Sequence, residues 1–199
     1  HGDEHNQVKQ AIEADKRYLP ARRNLALLAL RENRRDEAEG GFGEVLAIDP
    51  QDLGALTSLA SLYSAQGRFG PAIEKVEAAL KVNPNLDTLQ VSLAELYVRP
   101  GRYDDAIGKA KALIAANPKA APAYFVLGQV YLAKRQPADA LAAFQKAVTM
   151  APDSALAHVQ LARAWLGQTK PKEALSEYKK AEQLNPNLPG LAIELAALE

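Results

Sequence analysis

Residues 121–154 read APAYFVLGQVYLAKRQPADALAAFQKAVTMAPDS. Two stretches of helical period meet at Gln136-Pro137, and the segment closes on Ala151-Pro152. Pro152 is one of five prolines at a constant spacing of 34 residues, the others being Pro50, Pro84, Pro118 and Pro186. Self-similarity sustained at one period marks an array of like structural units and outranks any local signal. On this ruler the chain divides into units 19–52, 53–86, 87–120, 121–154 and 155–188, with incomplete pieces at 1–18 and 189–199.

The same offsets then carry the same residue types. Position 7 of each unit is leucine: Leu25, Leu59, Leu93, Leu127, Leu161 and, in the last piece, Leu195. Position 8 is small: Ala26, Ala60, Ala94, Gly128, Ala162. Position 11 runs Ala29, Tyr63, Tyr97, Tyr131, Trp165, and position 20 is alanine throughout, at Ala38, Ala72, Ala106, Ala140 and Ala174. Position 24 runs Phe42, Val76, Ala110, Phe144, Tyr178, and position 27 Val45, Ala79, Leu113, Ala147, Ala181. Positions 4, 7, 8 and 11 share one face of a first helix, and 20, 24 and 27 share one face of a second. Small residues at 8 and 20 let the two helices approach, while the large residues at 11 and 24 fill the space beside the crossing. The other prolines fall at helix starts (Pro20, Pro122, Pro189, Pro71, Pro137, Pro171) or in the turn at Pro100-Gly101, where they break no helix. Gly67 and Gly101 occupy one turn position and end first helices there.

Composition agrees. The chain of 199 residues holds 38 Ala and 28 Leu against 20 Val, Ile and Thr together, the balance of an all-α protein. No cysteine is present, which excludes a disulfide scaffold, a thiolate nucleophile and thiolate metal ligation. Twenty-four basic residues balance 24 acidic ones with no basic stripe, which argues against nucleic acid as a partner. The longest strongly apolar run, Leu25–Leu30, is far short of a membrane span.

The pattern of Leu, small residue, aromatic, Ala, aromatic, Ala and Pro at a 34-residue period resembles the tetratricopeptide repeat family over essentially the whole chain. The resemblance implies antiparallel helix pairs stacked into a right-handed superhelix, an α-solenoid whose first helices line a concave groove. Residues 5–15 fit the second helix of a preceding repeat, with Ala11 and Ile12 at its core offsets, and 189–199 fit a lone first helix. These ends predict a piece of a longer bacterial array.

No catalytic signature is present: no G-x-S-x-G, H-E-x-x-H, phosphate loop or dinucleotide fingerprint. The expectation is a non-enzymatic chain without cofactor or metal. His158 stands at position 4, a core offset, and reads as packing. Acidic pairs such as Asp36-Glu37 and Asp104-Asp105 open second helices, where the helix dipole favours them. Gly40-Gly41-Phe42-Gly43 lies mid-helix; it reads either as a poorly optimised convex face or as a close-approach surface for another protein.

The resemblance places function on positions 2, 5, 9 and 12 of the first helices. From the third unit onward these give two apolar rows, Val91, Phe125, Val159 and Val98, Leu132, Leu166, around a polar row, Glu95, Gln129, Arg163. Such a face suits a protein or peptide segment that is apolar or amphipathic; cover by the neighbouring helix is the competing reading. Phe125 is the candidate anchor, with Gln129 and Arg163 as polar partners. Arg23, Leu27, Ser58, Thr88 and Ser92 stand where family members that bind chaperone tails carry a basic clamp, so that role is disfavoured. The leading expectation is a protein-interaction scaffold of a bacterial secretion, pilus or exopolysaccharide assembly. Its alternatives are a recognition arm of a larger enzyme such as a glycosyltransferase, and self-association through Leu191, Leu195 and Leu198 of the terminal helix.

Overall fold

The structure, a computed structural model, describes residues 18–198 together with Asn6, Gln7 and Gln10. Of the helix expected at 5–15, Asn6, Gln7 and Gln10 are described and are helical, whereas Ala11 and Ile12 lie outside the described residues. Among these, eleven α-helices follow one another without a strand. They are α1 (Leu19–Arg31), α2 (Arg35–Ile48), α3 (Leu53–Ala65), α4 (Phe69–Val82), α5 (Asp87–Val98), α6 (Tyr103–Ala116), α7 (Ala121–Ala133), α8 (Pro137–Met150), α9 (Ala155–Gly167), α10 (Pro171–Leu184) and α11 (Leu191–Ala196).

The turn inside each repeat is one construction used five times. The residue at position 15 adopts positive φ: Asn33, Gly67, Gly101, Arg135 and Thr169, with values from 58° to 78°. That left-handed residue reverses the chain, and the following N–H returns to the carbonyl of position 11. Arg34, Arg68, Arg102, Gln136 and Lys170 make this bond at 2.8–3.0 Å to Ala29, Tyr63, Tyr97, Tyr131 and Trp165. Where position 16 is cationic and position 11 aromatic, the charge also lies over the ring. Arg68 stands 4.3 Å from the Tyr63 centroid, Arg102 4.3 Å from Tyr97, and Lys170 5.4 Å from Trp165.

The linker between repeats explains the ruler. The residue before Pro50, Pro84, Pro118 and Pro186 is held extended, as the pyrrolidine ring requires. Where that residue is Asp49, Asn83, Asn117 or Asn185, its side-chain oxygen accepts from the N–H two residues on, at 2.9–3.3 Å. Ala151, before Pro152, has a φ of −136° and a smaller ψ of 75°, and it lacks the side-chain bond.

The chain forms two compact units, His1–Leu89 and Gln90–Glu199. The 34-residue ruler gives no sign of this division, which falls inside α5. In the first unit α1 pairs with α2 and α3 with α4, and α2 packs on α3. In the second, α7 pairs with α8 and α9 with α10; α6 packs on α7, α8 on α9, and α11 on α10.

Core offsets are buried as the periodicity predicts. Ala38, Ala72, Ala106, Ala140 and Ala174 are fully excluded from solvent, as are Phe42 and Phe144. At positions 7, 11 and 27 the exceptions are Leu25, Tyr131, Trp165 and Leu113, all half-buried. The two phenylalanines at position 24 are accommodated differently. A Cβ on Gly128 would stand 2.5 Å from the Phe144 ring, so the absent side chain at position 8 is what admits that ring. In the first repeat Ala26 keeps its methyl, and the opposite helix yields instead: a Cβ on Gly41 would stand 2.9 Å from the Ala26 Cβ. Gly41 is thus a close-approach residue within its own repeat. Gly40 and Gly43 have open space around them.

Candidate interaction face

In the second unit the core residues of α5, α7 and α9 turn positions 7, 8 and 11 inward, which leaves 2, 5, 9 and 12 on the neighbouring stripe. Val91 and Val98 on α5 are half-buried, and Glu95 between them is exposed. On α7, Phe125, Gln129 and Leu132 are half-buried. The Phe125 ring meets Phe144 edge-on, with centroids 5.7 Å apart and planes at 72°. Leu132 packs on the same cluster of Ala140, Phe144, Leu161 and Ala164. Both side chains therefore belong partly to the core, and Phe125 is less free as an anchor than its position suggests.

On α9 the expected row breaks. Val159 is 4% exposed and packs in a cluster with Ala162, Ala174, Tyr178, Ala181, Leu191 and Leu195, so it offers no surface. The cause is α11, whose Leu191 and Leu195 cover it. Arg163 is also taken. Its guanidinium forks onto the Glu194 carboxylate of α11, with Nε donating to Oε2 at 3.1 Å and Nη2 to Oε1, while the Tyr178 hydroxyl donates to the same carboxylate. Hydrogen bonding from Arg163 holds the Glu194 carboxyl below the usual carboxylate range. Burial, then the bond to Glu194, pushes the Tyr178 hydroxyl up. Leu166 remains exposed, at 37%.

Two residues of the stripe stand outside the nine candidate groove residues. Leu156, at position 2 of its repeat, is 49% exposed, and Ile193, at position 5 of the terminal piece, is 77% exposed. Both stand at offsets of the stripe; extending the rows to position 2 and into the last piece finds them. The terminal leucines behave otherwise. Leu191 and Leu195 are buried and Leu198 packs against the same cluster, so the surface expected for self-association faces inward.

The carboxyl of Glu95 is raised above the usual range by loss of hydration. No cation among the described residues pairs with it.

The first unit carries different chemistry at the same offsets. Arg23 donates to Asp52 at 2.8 Å, and Asp52 caps α3 by accepting from the Ala55 N–H, also at 2.8 Å. The Thr57 hydroxyl donates to the Leu53 carbonyl. Leu30, Asn33, Arg35, Thr57, Ser58, Ser61, Leu62 and Ala65 line an open cleft of about 440 Å³.

His158 is buried, its ring nitrogens 2.6 Å from a Glu177 carboxylate oxygen and 2.9 Å from the Pro152 carbonyl. Its polar atoms are satisfied within its own repeat and its linker, a structural placement. No group of three or more His, Asp or Glu able to hold a metal occurs among the described residues. No helix among them is long and apolar enough to cross a membrane.

A sequence profile described as tetratricopeptide repeat matches residues 57–121, 91–155 and 125–189, each match starting 34 residues after the last. A search of curated proteins returns no match. Among solved structures, TTC0263 of Thermus thermophilus, a thermophilic tetratricopeptide protein, is 25% identical with a TM-score of 0.72, over 90% of this chain and 98% of its own. MamA of Desulfovibrio magneticus RS-1 is 23% identical with a TM-score of 0.69, over 86% and 97%. YrrB, described as a tetratricopeptide protein with an unusual peptide-binding site, is 20% identical with a TM-score of 0.64, over 96% and 97%. At these identities the last two share the fold.

Proposed function

The chain belongs to the tetratricopeptide repeat family, and from that premise we propose that it is a non-catalytic protein-interaction scaffold whose second unit binds a partner segment on its first-helix stripe. One observation carries this reading. Six large hydrophobic residues among those described are exposed, and three of them, Leu156, Leu166 and Ile193, stand at stripe offsets. Apolar side chains left wet on one surface are the ordinary mark of a site that a partner covers. The half-buried Val91, Val98, Phe125, Gln129 and Leu132 continue the same stripe on α5 and α7. The unusual peptide-binding site described for YrrB is consistent with this use of the fold. The alanine-rich repeats with Asn-Pro-Asn and Asp-Pro linkers, together with the likeness to a Thermus protein, favour a bacterial assembly complex as the setting.

The test is a pull-down from the source organism with the parent chain and the double variant Leu166→Glu, Ile193→Glu. Both residues are exposed, so the variant keeps its helical circular dichroism and loses the captured partner. Capture of the same proteins in the same amount by a folded double variant would contradict the assignment.

A further inference from the structure

The charge left on this stripe says what its occupant carries; the inference rests on the interaction face proposed above. Glu95 is the one acid at positions 2, 5, 9 and 12 of the second unit's repeats, and Arg163 the one base. Arg163 is neutralised by Glu194, so Glu95 is the uncompensated charge of the stripe. Its helix neighbours along the stripe are Val91 and Val98, both half-buried and apolar. Arg99, four residues on, stands in the usual place for a helical ion pair. It lies beyond the end of α5, in the turn, and no ion pair joins it to Glu95. The Glu95 carboxylate is thus an exposed charge, set between two apolar side chains, that no side chain of its own helix pairs. An incoming ammonium or guanidinium would offset it, whereas an incoming carboxylate would be repelled.

We infer that the partner segment is amphipathic and cationic, setting a lysine or arginine against Glu95 and apolar side chains against the strip that runs through Leu132 and Leu166. Apolar contact supplies the adhesion, and the single unpaired charge supplies selection between otherwise similar segments.

The experiment measures fluorescence anisotropy of two labelled peptides with the full chain at low salt, one alternating Leu with Lys and one alternating Leu with Glu. The Leu–Lys peptide binds about tenfold more tightly to the parent chain, and Glu95→Gln reduces that preference to about twofold or less. Glu95→Lys reverses it. Glu95 is exposed, so circular dichroism of both variants stays that of the parent. A preference that survives Glu95→Gln undiminished would overturn the inference, as would failure of both peptides to bind. Equal binding of both peptides, lost from both in the double variant Leu166→Ser, Ile193→Ser, would overturn the charge selection while leaving the interaction face standing. Binding of both that ignores the double variant would remove the face itself.

Discussion

In the first unit the stripe beside the core joins half-buried Leu27 and Leu30 to polar side chains, several of them internally bonded. Arg23 is held by Asp52, the Thr57 hydroxyl is turned back on its own helix, and Ser61 and Ser64 present hydroxyls. In the second unit the same offsets carry Val91, Val98, Phe125, Leu132, Leu156, Leu166 and Ile193, with one unpaired carboxylate. The buried offsets of the two units, by contrast, are nearly interchangeable: Ala38 and Ala140, Phe42 and Phe144, Val45 and Ala147. The comparison separates two kinds of constraint on one repeat. Helix crossing dictates the core, residue by residue, whereas the stripe is free to differ and so can carry specificity.

The largest expected effect attacks the shared core at the place where the units solve one problem differently. Gly128→Ala drives a methyl into the Phe144 ring and costs about 1–3 kcal/mol, read as a lower thermal midpoint. Gly40→Ala or Gly43→Ala in the first unit meets nothing and raises stability by about 0.5–1 kcal/mol through helix propensity. A stabilising Gly128→Ala would refute the account of that crossing.

Next in size is the pinning of the first unit's stripe. Asp52→Ala removes the cap of α3 and leaves Arg23 without its partner, costing about 1–2 kcal/mol in urea unfolding. The corresponding cap of α9, where Ser154 accepts from the Ala157 N–H at a longer 3.3 Å, should yield the smaller loss on Ser154→Ala. Equal losses would mean that the Arg23 contact adds nothing.

A gain of about 1 kcal/mol is expected from Thr169→Gly, because a β-branched residue there holds a φ of +58° where the first unit uses Gly67. No gain in thermal midpoint would show that the turn is shaped by its surroundings and carries no strain.

The smallest effect concerns the docking of α11. Glu194 has its pKa lowered in the folded chain, chiefly by Arg163, so its contribution is complete above the ordinary value near 4.5 and is lost as pH falls through the depressed folded value. Both side chains are partly exposed, so a few tenths of a kcal/mol are at stake. Trp165, the single tryptophan, packs against the same cluster as α11 and reports the change by fluorescence below about pH 4.5. Glu194→Gln should abolish that acid transition.

Much of the fold was legible because it is written locally. The ruler prolines, the glycines at positions 67 and 101, and the small residues at positions 8 and 20 each act within one turn or one crossing. The positive φ of Arg135 and Thr169 was hidden, since neither residue type announces it, although the offset they share with the two glycines does. The stripe was legible only in outline. Val159 reads as surface until Leu191 and Leu195 are seen to cover it, and Arg163 reads as free until Glu194, 31 residues later, is placed beside it. These are contacts between successive repeats, set by how one helix pair rotates on the next. Periodicity assigns a residue to a stripe but not the neighbour that closes over it. The division of the chain at Leu89 leaves no mark in the 34-residue pattern.

In the proposed function the second unit's stripe, and not the first's, touches the partner. A photo-crosslinking side chain placed at Leu166, or separately at Ser61, tests it in a lysate of the source organism. Both positions are exposed and both stand on the stripe, one in each unit. A discrete adduct is expected from position 166 and none from position 61. An adduct from position 61 alone, or equal adducts from both, would contradict it.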